Sequence, residues 1–245
     1  MKKTILACAL LCSLAITSAQ AESLIVLKMG GDYWKADTSG TFAENGQTQQ
    51  GGNDSDSSQG SIWVAFEHPL PLVPNIKIRQ NYLDSDISTS LDNFIFGGSA
   101  FTSNVSVNTD LNNTDFILYY ELLNNDLVAL DLGAAYKIMN GSFRVADVGN
   151  LEKKDLDSGV IMAYADAHVG VVGLGLYGFA EVTLGIDESS VYDYSLGLGW
   201  QFDGLILDTQ LRVGYREFNF DVNNFDGLST DSEFKGFFAG VELVF

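Results

Sequence analysis

The side chains best suited to proton transfer are His68 and His168, the two histidines of the sequence. An imidazole titrates near neutral pH, which makes it the usual acid–base partner of a hydroxyl nucleophile or a carboxylate. His68 opens the segment "HPLPLVPN", and His168 lies just before a short turn at 170–172. No Gly-x-Ser-x-Gly elbow accompanies either of them, and two histidines make a weak metal site. Asp54, Asp56, Asp221, Asp226, Asp231 and Glu233 could offer oxygen ligands to Ca²⁺ or Mg²⁺. The run "NDSDSS", however, lacks the spacing and closing Glu of an EF-hand loop. Solvated loop charge is the simpler expectation, with no metal and no cofactor.

The chain has 245 residues, 13 basic against 32 acidic. Its first residues, "MKKTILACALLCSLAITSAQAES", read as a basic start, an apolar stretch and a small-x-small cleavage site at Ala19-Gln20-Ala21. This is the pattern of a secretory signal peptide over 1–21, and its core is too short to span a membrane as a helix. Cys8 and Cys12 fall inside it, and Ala9-Leu10-Leu11 before Cys12 is a poor lipobox. The remaining chain, 22–245, therefore has no thiol chemistry and no disulfide. Without Lys2 and Lys3 it keeps 11 basic and 32 acidic residues, a formal charge of −21. That balance excludes a nucleic-acid surface. No apolar run past the leader approaches the length of a membrane helix, so a membrane location requires a barrel.

The hydrophobic period is two throughout. In "VYDYSLGLGWQF", Tyr192, Tyr194, Leu196, Leu198, Trp200 and Phe202 share one face, and Asp193, Ser195, Gly197, Gly199 and Gln201 the other. Asp203-Gly204 predicts a two-residue hairpin turn pairing 202 with 205. That register sets Arg212 opposite Ser195 and diagonal to Asp193. Ten strands are predicted, at 23–36, 60–67, 76–84, 113–123, 127–138, 158–169, 173–186, 191–203, 205–219 and 233–245. Eight remain possible if 23–36 or 76–84 proves irregular. Short connections near 68–75, 124–126, 170–172 and 203–204 alternate with long polar ones near 37–59, 85–112, 139–157 and 220–232. This is the layout of a closed antiparallel transmembrane β-barrel of the bacterial outer membrane, all-β and a single domain.

In such a barrel the apolar faces meet lipid, and aromatics flank an aliphatic band. A soluble sandwich alternates too, but its polar face would not be so rich in glycine. By alternation the lumen receives Lys28, Asp32, Glu67, Lys77, Arg79, Asp115, Glu121, Asp131, Lys137, Asp166, His168, Glu181, Asp193, Asp208, Arg212, Arg216 and Glu242. Charges of both signs in a narrow, poorly hydrated interior are expected to pair, because an unpaired buried charge is costly. Lys77 and Arg79 should lie between strands carrying Glu67 and Glu121. A ladder of such pairs would plug the lumen; a thin charged pore is the alternative.

The chain ends "FKGFFAGVELVF", with Phe237, Val241, Leu243 and Phe245 on one face of the closing strand. This resembles the C-terminal signature of bacterial outer-membrane proteins, which implies the barrel-assembly machinery as a partner during insertion. "VLKMGGDYWKAD", with Gly30-Gly31 before Asp32-Tyr33-Trp34, resembles a family of uncharacterised outer-membrane β-barrels with an N-terminal Gly-Gly motif. That family implies a location and no activity. Paired glycines within a strand signal a barrel-closing bend or a close approach, by backbone or by ligand. Some small outer-membrane barrels are proteases or lipid-modifying enzymes with catalytic groups at the outer rim, whereas both histidines here map to the periplasmic end. The expectation is a monomeric, non-enzymatic envelope protein in contact with outer-membrane lipid and lipopolysaccharide, with a narrow channel second and a surface enzyme third.

Overall fold

The computed structural model describes residues 25–44, 50–70, 72–125 and 127–245. The expected leader at 1–21, with Cys8 and Cys12, lies outside them. The described residues form fourteen strands: β1 Val26–Glu44, β2 Gln50–Glu67, β3 Asn75–Tyr82, β4 Asp84–Phe96, β5 Ser99–Asp110, β6 Asn113–Asn124, β7 Val128–Met139, β8 Gly141–Ala146, β9 Leu151–Leu156, β10 Gly159–Val171, β11 Leu176–Gly185, β12 Val191–Phe202, β13 Asp208–Phe225 and β14 Leu228–Val244. Ten of them close a barrel in the order β1-β14-β13-β12-β11-β10-β7-β6-β3-β2, and each overlaps a predicted strand; β1, β2, β13 and β14 run on into 37–44, 50–59, 220–225 and 228–232, which were expected as polar loops.

Closure leaves no open edge. β1 pairs β14 from Lys28↔Val244 to Glu44↔Leu228. Leu27 and Phe245 then exchange backbone hydrogen bonds at 3.1 and 2.9 Å. In hydrocarbon every N–H and C=O must be satisfied in this way. Alternation sends Ile62, Val64, Leu118, Leu132, Leu196, Leu198 and Val213 outward, exposed, with the tilted rings of Trp200 and Phe202 in contact at 4.6 Å below them. At the other end of the same strand Tyr192 and Tyr194 donate to Glu217 at 2.7 and 2.8 Å, apolar rings with wet tips.

Two expectations change. The first is the β12–β13 turn. Phe202 pairs with Thr209, not Leu205, so residues 203–208 form the connection. Local Asp-Gly preference yields to the ladder that fixes β13 against β14, where Arg212 faces Gly240 and Arg216 faces Gly236. The slip is four residues, an even number, so every side chain keeps its face. It moves the arginines one layer: Arg216, not Arg212, stands opposite Ser195, and Arg212 faces Gly199.

The second is the pair of segments 85–112 and 139–157, expected as polar loops. They hold a four-stranded sheet in the order β4-β5-β8-β9. Two barrel hairpins run on past the rim and bend over it. One bends at Leu83 and Leu111, where the Leu111 N–H reaches the Leu83 carbonyl at 2.8 Å; the other bends at Met139, whose N–H reaches Ser158 at 3.0 Å. The bent ribbons then pair through β5 and β8. Their inner faces hold Phe94, Phe96, Phe101, Val105, Val107, Phe143 and Val145, all buried. These pack on Phe42 of the extended β1–β2 hairpin, with ring centroids 5.4, 5.8 and 5.6 Å from Phe94, Phe96 and Phe143. The apolar core of the barrel thus continues upward into a cap that closes its top.

Candidate functional site in the barrel lumen

Inward charges stack in three levels along the axis. At the periplasmic level Lys28 binds Glu67 at 2.6 Å, and Tyr119 donates to the same carboxylate at 2.7 Å. Asp131 and Asp166 face one another across β7 and β10, half-buried. His168 lies 3.0 Å from Asp166 and stacks on Tyr177 at 5.1 Å.

In the middle level Trp63 fills the space that Gly30 leaves open: a Cβ there would lie 2.3 Å from the indole ring. The close approach expected of the Gly-Gly pair is therefore made by a neighbouring side chain. Trp63 donates its Nε1–H to Glu242 at 2.8 Å. Arg212 packs its guanidinium on Phe179 at 4.4 Å and Trp63 at 5.3 Å. Asp32 and Arg212 flank Gly240 from β1 and β13.

The upper level holds the densest pairing. Lys77 binds Glu181 at 2.6 Å from across the barrel. Arg79 donates to Asp115 at 2.9 Å, bonds Glu181, and lies 3.7 Å from Asp193. Lys137 lies 2.7 Å from Asp115 and donates to Asn113 at 2.8 Å. Arg216 holds both oxygens of Asp193 at 2.9 and 2.6 Å, and also reaches Asn81 at 2.8 Å. Five cations, Lys77, Arg79, Lys137, Arg212 and Arg216, thus share the upper two levels with five carboxylates, Asp32, Asp115, Glu181, Asp193 and Glu242. Lys137, Asp115, Asn81 and Asn113 have no solvent-accessible surface, nor does Trp34 beside Arg216. Above them Phe218, Phe220 and Phe234 continue into the cap.

Most of the lumen set predicted by alternation is brought together here, with two corrections. Glu121 keeps the inward phase, directly opposite Asp131, but it stands at the periplasmic mouth and is exposed; the bulge between Glu121 and Leu123 comes only after it. Asp208 also stays at the rim, where its Oδ1 accepts the Gly204 N–H at 2.9 Å and shapes the turn. Lys77 and Arg79 do lie between β2 and β6, but their partners are Glu181, Asp115 and Asp193 rather than Glu67 and Glu121. Sequence reading missed the neutral members Asn81, Asn113, Tyr119 and Trp63. Asn81 and Asn113 sit two residues from Arg79 and Asp115 on the same faces, which was signal enough to include them.

The chemistry on offer is ion pairing. His68 lies at the β2–β3 connection, where its Nδ1 accepts the Leu70 N–H at 3.2 Å. With His168, both imidazoles are thus at the periplasmic end. Among the described residues no group of three or more His, Cys, Asp or Glu is arranged to hold a metal. Of the loop acids, Asp221, Asp231 and Glu233 line an open cleft of about 510 Å³ on the outer face of β1, β2, β13 and β14. Asp226 instead tethers the cap: it accepts the Asp157 and Ser158 N–H groups at 3.0 Å each, and the Ser158 hydroxyl. Partial burial would raise its pKa, but these donors win and lower it.

No protein-family model matches the chain, and no curated protein matches it. Solved structures do. The outer membrane protease OmpT from Escherichia coli aligns with a TM-score of 0.52 at 11% identity, over 94% of this chain and 100% of that one. Ail, the attachment invasion locus protein of Yersinia pestis, aligns at 0.32 and 11%, over 89% and 99%. The Pseudomonas putida toluene transporter TodX aligns at 0.37 and 10%, over 95% and 91%. At 11% identity the likeness to OmpT concerns the fold alone, a closed barrel of the bacterial outer membrane, here of ten strands.

Proposed function

We propose that this chain is a non-enzymatic, non-conducting outer-membrane barrel, a stable envelope element that presents a folded β-cap and acidic loops to the exterior. The observation that supports this reading is the buried network that joins Lys137, Asp115, Asn113 and Asn81, all without accessible surface on the β7–β6–β3 wall, to Arg216 and Asp193 on β13 and β12 across the lumen. A pore of ten strands is already narrow, and here ion pairs and aromatic rings occupy it. The charges serve as cross-braces between opposite walls, as between Lys77 and Glu181. Outer-membrane lipid and lipopolysaccharide contact the belt, and the chain acts as a monomer. The run Phe237, Val241, Leu243 and Phe245 addresses the barrel-assembly machinery, with its side chains turned to lipid.

Planar-bilayer recording of the refolded protein tests the reading. Silent bilayers are expected. Discrete conductance steps, altered in size by Arg212→Ala or Arg216→Ala, would replace it with the narrow-channel reading. Cleavage of a peptide or surface lipid that is lost in His68→Ala/His168→Ala would replace it with an enzyme.

A further inference from the structure

The periplasmic connections of this barrel are aliphatic. The β2–β3 turn exposes Leu72 to 90%, the β6–β7 turn exposes Leu127, the β10–β11 turn Val172 and Leu174, and the β12–β13 turn Leu205 and Ile206, the last to 87%. At the opposite end the tight turns carry Gly97-Gly98 and Asp226-Gly227, and Val148 and Ile186 are single exposed aliphatics in otherwise polar connections. Scattered surface leucines need no explanation, but every connection at one end carrying them does.

Three observations agree on what covers this rim. The apolar surface is continuous with the lipid belt: Leu205 and Ile206 follow Trp200 and Phe202, and Leu127 precedes Leu132 on β7. The turns also satisfy their polar groups from within, as a poorly hydrated layer demands. Asn125 Oδ1 accepts from the Leu127 and Val128 N–H groups at 3.0 Å, Asp208 from Gly204 at 2.9 Å, and Asp203 from the Gln201 side chain at 3.0 Å. The Leu72 carbonyl is taken by Tyr120 Oη at 3.1 Å. Finally, Leu72 has φ +67°, a left-handed conformation where Gly or Asn is ordinary. A leucine is held there, pointing away from the barrel.

We propose that these four turns are a phospholipid-docking ring, seated among the acyl chains of the periplasmic leaflet rather than projecting into the periplasm. The barrel then rides low in the membrane, and its lower lumen, with Asp131 and Asp166, opens at headgroup level.

Single-cysteine variants test this in a Cys8→Ser/Cys12→Ser background. Leu72→Cys and Ile206→Cys report on the ring, and Val148→Cys, fully exposed in the β8–β9 turn, is the aqueous control. Each is labelled with the fluorophore NBD and reconstituted in phosphatidylcholine vesicles whose acyl chains are brominated. Heat-modifiable gel migration checks folding. Emission at 72 and 206 should fall by about twofold or more, while 148 is unchanged and is quenched by aqueous iodide. If 72 and 206 behave like 148, the ring is in water and the proposal fails. It also fails if they escape both quenchers and recover iodide sensitivity on dilution with lipid, because a second copy would then be the occupant.

Discussion

Arg216 on β13 grips both carboxylate oxygens of Asp193 on the neighbouring β12, through Nε at 2.9 Å and Nη2 at 2.6 Å. Both residues are buried, so the pair has lost its water and depends on its geometry. Removing one partner strands the other charge. Arg216→Met should cost about 3–5 kcal/mol, while Arg216→Met/Asp193→Leu should recover most of that loss. Urea midpoints of the refolded variants, read by gel migration, check it. Equal losses in the single and double variants would mean that packing, not charge, sets the cost.

The cap docks through a notch at Gly52, where a Cβ would lie 2.3 Å from Ile87 Cγ2 on β4. Gly52→Val should push β4 off the β1–β2 hairpin at an overpacking cost of about 1–3 kcal/mol. Limited proteolysis should then cut within 84–110 several-fold faster while the barrel stays folded.

Asp226 fastens the β13–β14 hairpin to the Asp157–Ser158 junction, helped by Lys154, which donates to the Gly227 carbonyl at 3.2 Å. Its carboxyl titrates below the usual range in the folded state, so its contribution is present above the unfolded pKa and lost as pH falls through the folded one. Asp226→Ala should speed cleavage within 147–158 at neutral pH, and the wild type should show comparable cleavage only below about pH 4. Cleavage that is independent of both substitution and acid would show that the tether holds nothing.

Asp231 behaves oppositely. On the part of β14 that projects beyond the lipid belt, partial burial, then Asp221 directly across the ladder and Glu233, push its pKa up. A raised carboxyl pKa makes its stabilisation greatest at low pH, and that is lost as pH rises through the folded value. Asp231→Asn should therefore raise the melting temperature at pH 7 by roughly 1–3 °C, and leave it unchanged near pH 3. A lowered melting temperature at pH 7 would mean that Asp231 is paired rather than crowded.

The barrel was legible because lipid outside and charge inside impose the same two-residue period on every spanning strand. Arg79, Lys137, Glu181 and Asp193 could be assigned inward on that basis alone. Alternation does not say which inward group meets which across the lumen, so the Lys77–Glu181 brace was invisible. Alternation also does not say where the lumen ends, so Glu121, in phase and opposite Asp131, was grouped with the buried charges although it lies exposed at the mouth. The cap escaped notice because its strands are rich in Ser, Thr, Asn and Asp. Its sparse aromatics, Phe94, Phe96, Phe101 and Phe143, gain meaning only when two distant hairpins bend onto each other.

The β12–β13 connection is four residues longer than the tightest hairpin its sequence allowed, yet neither wall of the barrel noticed. Chain can thus be added or removed at that bottom corner, odd or even in number, with little harm, because the neighbouring ribs and not the corner hold β13 in place. One residue inserted within the rib itself would turn everything beyond it inside out, driving Arg216 into oil and leaving Tyr215 to line the shaft.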